Sequence, residues 1–94
     1  MTTVVISHKV GNIDRWLKGH QDRVEIFSKF ASRFQTLQDT NDPNSVILVA
    51  EVFDVDAMQA VMSNPDIIQK IAKEKHTVIE PITVSMPVAV AETV

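Results

Sequence analysis

The sequence predicts an α+β fold of the ferredoxin-like kind, βαββαβ, with a four-stranded antiparallel sheet and two helices on one face. Three observations carry this expectation. Runs rich in β-branched residues at 3–10, 45–53 and 77–90 alternate with two stretches of helical period. The polar turn Asn41-Asp42-Pro43-Asn44 joins two strands so closely that they must form a hairpin. The element order is then two βαβ-like halves in succession, each closed by a right-handed crossover.

The first strand, 3–10, puts Val4, Ile6, His8 and Val10 on one face and Thr3, Val5, Ser7 and Lys9 on the other. Gly11-Asn12 ends it, and Asn12 suits a helix N-cap. Asp14 falls in the first turn, where the helix dipole favours a carboxylate. From Ile13 the period becomes helical: Ile13, Trp16, Leu17, His20, Val24 and Phe27 form one stripe. A single helix is expected from 13 to about 30 or 31. The weakly alternating stretch 33–40 reads as the second strand. The third, 45–53, is the strongest in the chain. Asp54 or Asp56 opens a second helix over 55–63. Asn64-Pro65 interrupts it, because Pro65 pushes Asn64 out of the α region. Helix resumes over 66–75, with Ile67, Ile68 and Ile71 inward and Lys70, Lys73 and Lys75 outward. The last extended segment is 77–90, and the part up to about Ser85 is expected to pair in the sheet.

A chain of 94 residues with 45% hydrophobic and 22% charged residues forms one globular domain, 1–94. A net charge of −3 argues against nucleic acid as a partner. No apolar run approaches the roughly 20 residues of a membrane span, so no membrane partner is expected. The absence of cysteine excludes disulfides and thiolate zinc sites. Met1-Thr2-Thr3 leads into the first strand without a basic leader, and the expected compartment is the cytoplasm.

Residues 46–50 are apolar without alternation, the pattern of a strand buried on both faces. Two helices cover one face only. The other is expected to pack against a second copy of the chain, making a homodimer. Pro81 and Pro87 confine the last segment to an edge or a bend. Residues 88–94 then either contact the partner or form a loosely held tail.

A ferredoxin-like domain with both sheet faces apolar and a long last strand resembles the dimeric α/β-barrel superfamily. That superfamily includes antibiotic-biosynthesis monooxygenases, muconolactone isomerases, polyketide cyclases, stress-responsive A/B-barrel proteins and haem-degrading enzymes. Ser7-His8-Lys9-Val10, Asn12-Ile13-Asp14-Arg15-Trp16 and Asn41-Asp42-Pro43-Asn44 look like a group of short bacterial proteins within it. The resemblance implies dimerisation into an α/β barrel. It implies no particular activity, since this scaffold hosts many chemistries.

His8, Trp16 and His20 are the residues expected to bind a ligand, and His8 and His20 are the catalytic candidates. Trp16 and His20 stand at i and i+4 on the inward stripe. With His8 on the facing strand, two imidazoles and an indole would share an apolar wall, as in a small-molecule pocket. An imidazole there could move a proton near neutral pH. The plainer alternative is a core histidine bonded to backbone. No metal is expected, because His8 and His20 supply two ligands where catalytic zinc takes three, and Asp14, Glu51 or His76 have no supporting spacing. His76 reads as a structural residue at a helix end. With two glycines in the chain, the glycine fingerprints of flavin and nicotinamide sites are missing, and no feature selects haem, so no cofactor is expected. Two classes remain open: a small-molecule-binding dimer without catalysis, and a cofactor-independent monooxygenase or cyclase/isomerase acting on a polyketide-like or aromatic ring.

Overall fold

The structure is a computed structural model that describes residues 1–88. The elements are β1 (Thr2–Val10), α1 (Ile13–Lys18), α2 (His20–Phe27), β2 (Ala31–Gln38), β3 (Ser45–Val52), α3 (Val55–Met62), α4 (Asp66–Lys75) and β4 (Val78–Ser85). The sheet order is β2-β3-β1-β4, with every neighbouring pair antiparallel. This is the ferredoxin-like arrangement the sequence predicts. Residues 88–94 as a tail or partner contact fall almost wholly outside the described residues.

Alternation sorts the sheet into two faces. Val4, Ile6 and Val10 of β1 and Val46, Leu48, Ala50 and Val52 of β3 are buried beneath the helices. Trp16, Phe27, Phe30 and Met58 complete this core. Val5, Ile47 and Val49 point to the other face and are half-buried by their neighbours on the strands. Leu37 and Ile79, 40% and 49% exposed, flank them.

Local signals set the boundaries. Asn12 caps α1, its Oδ1 accepting the Arg15 amide at 3.0 Å, and Asp54 caps α3 by accepting from the Ala57 amide at 3.0 Å. In the β2–β3 turn, Asp39 Oδ1 accepts from the amides of Asn41 and Asp42 at 2.7 and 2.9 Å. Asp42 in turn accepts from Asn44 and Ser45. These Asx bonds replace backbone partners that a tight turn leaves unpaired.

Two expectations need correction. The helix predicted as continuous from 13 to about 30 is two, α1 and α2, divided at Gly19. A Cβ on Gly19 would collide with the ring of His76, meeting Cδ2 at 2.6 Å. The residue is therefore glycine because another element occupies the space, and the chain bends there. Leu17, expected on the inward stripe, is 49% exposed. The second departure is α4, which lies where predicted but is wound as a π-helix, with the His76 amide bonded to the Ile71 carbonyl at 2.9 Å. None of its residues is buried.

Candidate functional site

An apolar cavity lies between the sheet and the helices. Ile6, Leu48 and Ile82 form its floor, Trp16 and Phe27 one wall, and Ile67, Ile68 and Ile71 of α4 the opposite wall. Its volume is about 70 Å³, enough for a few waters but below the roughly 150 Å³ of an engineered cavity that takes benzene.

The polar groups at this cavity are His8, Arg23 and His76. His8 packs edge-on against Trp16, with ring centroids 5.9 Å apart. Its Nδ1 lies 3.1 Å from the Lys9 carbonyl and donates to it, which leaves Nε2 as the acceptor nitrogen. Burial holds the His8 imidazole below its ordinary range near 6.5; the bond to Lys9 opposes this and the Arg23 charge adds to it. His8 is therefore neutral at neutral pH.

Arg23 is only 6% exposed. Its guanidinium carbon sits 3.8 Å from the Trp16 ring centroid, a cation–π contact worth about 2 kcal/mol when desolvated. Burial lowers its pKa to about 10, against the opposing pull of Asp22, so it stays charged. Its Nη1 faces His76 Nδ1 at 3.5 Å, and Nε is buried without a hydrogen-bond partner.

His76, 3% exposed, links this cation to the surface. Its Nε2 donates to Asp22 Oδ2 at 3.0 Å, and Lys75 Nζ holds the same oxygen at 2.7 Å. Burial lowers the His76 pKa, with Arg23 and Lys75 adding to the effect and Asp22 opposing it. Hydrogen bonds from Lys75 and His76 hold Asp22 below its usual range. A neutral His76 with its proton on Nε2 presents a lone pair to Arg23, so both contacts are satisfied at once. Thr77 then turns the chain into β4 with φ of 60°, an uncommon conformation for a β-branched residue. It is held there by paired bonds between its hydroxyl and the Asn12 backbone.

Of the residues singled out in the sequence, the cavity brings together His8 and Trp16. His20 is elsewhere: it is exposed on the far side of α2, its ring 5.5 Å from Phe34. The expected approach of His8 to His20 fails because Gly19 breaks the helix and turns the second half of the stripe. The position expected for His20 is taken by Arg23 and His76. Arg23 lies in α2, beyond the break at Gly19, so helical spacing from Trp16 does not report it. Among the described residues, no group of three or more His, Cys, Asp or Glu is placed to hold a metal.

Several solved structures share this fold. An antibiotic biosynthesis monooxygenase superposes with a TM-score of 0.69 at 18% identity, covering 97% of this chain and 100% of that one. SnoaB, a cofactor-independent oxygenase from Streptomyces nogalater, gives 0.68 at 15% identity, covering 97% and 94%. A Nitrosomonas europaea protein assigned to the antibiotic biosynthesis monooxygenases gives 0.66 at 13%, covering 97% and 100%. The likeness is one of fold, and it covers 97% of this chain in each case. No family model matches the sequence, and no curated protein matches it significantly. No helix among the described residues is long and apolar enough to cross a membrane.

Proposed function

We propose that this protein binds a small apolar or aromatic molecule in the cavity between its helices and sheet, and that it works as a homodimer. The carrying observation is the pairing of an apolar wall with one buried, under-bonded cation and two neutral imidazoles, beside the single tryptophan. Apolar lining with a few convergent polar groups is the usual make-up of ligand sites. A calorimetric and thermal-shift screen of small aromatic ligands tests it. Binding should be weakened by Trp16→Leu and unaffected by His20→Gln. Equal shifts in wild type and Trp16→Leu remove the reading.

The dimer rests on the open sheet face, where Val5, Leu37, Ile47, Val49 and Ile79 form an apolar patch without a covering layer. Sedimentation at micromolar concentration should give about twice 10.5 kDa. Val49→Asp should yield a folded monomer, because it places a carboxylate on the open face. Leu48→Asp should instead unfold the chain, because Leu48 points into the core; an unpaired buried carboxylate costs several kcal/mol. A wild-type monomer of normal stability would contradict the dimer.

A second reading is a cofactor-independent monooxygenase or cyclase/isomerase. Its support is the neutral His8 facing the same space as the charged Arg23. His8 Nε2 would accept a proton from an acidic C–H or O–H of the ligand, and Arg23 would stabilise the anion left behind. Oxygen uptake or ring closure with polycyclic aromatic enols should then be lost in His8→Gln while binding persists. Turnover that survives this substitution would sink the second reading and leave the first intact.

A further inference from the structure

We propose that the ligand of this cavity is an apolar molecule carrying a single carboxylate, and that Arg23 is the residue that binds it. The inference rests on the pocket reading above and gives it a substrate class.

Arg23 is nine-tenths buried, yet among the described residues no carboxylate lies within ion-pair distance of it. Asp22, its neighbour in sequence, is turned to Lys75 and His76 instead. The neutral His8 supplies no counter-charge. The contact with Trp16 offsets part of the desolvation but uses the face of the guanidinium, not its edge. On the edge, Nη1 is directed at His76, and Nε has no partner. Nε and the adjacent Nη2 form the side of the fork spaced for the two oxygens of a carboxylate. Arg23 is one of the residues that line the cavity.

One charge is what the site can balance. Apart from His8 and His76, the remaining lining is apolar, led by Ile6, Leu48, Ile67 and Ile71. A phosphate dianion would leave a charge against this wall. The body of the ligand is apolar for the same reason. A space of about 70 Å³ is too small for a six-membered ring with a substituent, so binding displaces a wall. The wall that can yield is α4. Its isoleucines are half-buried, and its ion pairs to the rest of the fold lie at its C-terminal end, Lys73 to Glu80 and Lys75 to Asp22.

The test compares 4-ethylbenzoate with 4-ethylbenzamide, equal in shape and different in charge, by calorimetry on the full chain. Wild type should bind the carboxylate at least tenfold more tightly than the amide. Arg23→Gln should bind the two alike. Because that variant removes a buried stack on Trp16 and risks misfolding, the Arg23 Nε–H resonance of ¹⁵N-labelled wild type provides a second readout. It should shift downfield with the benzoate and not with the amide. Equal binding of both probes by wild type would overturn this inference and leave the apolar pocket standing. Binding of neither would overturn both. A preference for the benzoate that persists in folded Arg23→Gln, or an unmoved Nε–H, would assign the charge recognition to another group and end the proposal.

Discussion

The two helical walls of the cavity are built on different principles. The α1–α2 wall is dense and chemically specific: Trp16 is fully buried, Arg23 stacks on it, and Gly19 exists so that His76 can pack against the backbone. The α3–α4 wall is apolar and loose, with Met58 its one buried residue. Both halves of the fold have the same element order, so topology does not explain the difference. Side-chain size does. A large indole and a guanidinium fill their half to the backbone, while isoleucines on a widened π-helix leave space beside it. In the proposed binding mode, recognition belongs to the first wall and adaptation to the second.

Substitutions can break that comparison. Trp16→Ala should cost the most, about 3–5 kcal/mol, because it removes both the core ring and the support for Arg23; urea denaturation reads the loss. Gly19→Ala should follow at about 1–3 kcal/mol, the usual cost of forcing extra volume into a packed site. It should also shift the His76 ring resonances, since the new methyl group occupies their place. Ile71→Ala on the opposite wall should cost about 1 kcal/mol, at or below the low end of the range for a buried residue, because Ile71 is only half-buried. An equal loss at Ile71 and Trp16 would mean that the two walls are alike.

The pH dependence sharpens the same contrast, because the shifted histidines both serve the α1–α2 wall. His8 and His76 have folded pKa values below the unfolded value near 6.5. The unfolded chain therefore binds protons first as pH falls. Stability should be fully present above about pH 7 and decline as pH drops through the histidine range toward 5. Protonated His76 would also present an N–H to the Arg23 donors instead of a lone pair. Denaturation curves at pH 7.5 and 5.5 should differ in this sense, and His76→Gln should reduce the difference. A pH-independent midpoint would contradict the neutral assignment of both rings.

Much of the fold was legible in the residues. The unbroken apolar, β-branched run of β3, the Asx-rich turn, the caps Asn12 and Asp54 and the break at Pro65 all act locally, so the sequence displays them. The site was legible in part. His8 and Trp16 follow from face and period, but Gly19 owes its identity to His76, far away in the chain, and no local pattern reports such a contact. Once the helix breaks there, i+4 spacing no longer places His20 beside Trp16. Arg23 was hidden for a related reason: a charged residue next to Asp22 in a helix reads as surface, and burial was set by the indole beneath it. The π winding of α4 likewise leaves no mark on its apolar period.

In the proposed binding mode, a ligand enters between these two walls and moves only the loose one. Hydrogen–deuterium exchange with and without 4-ethylbenzoate measures it. Exchange should slow on binding across Asp66–Lys75 and around Arg23, with the 39–44 turn unchanged. Unaltered exchange in α4 at saturating ligand, or protection confined to the open face of the sheet, would contradict it.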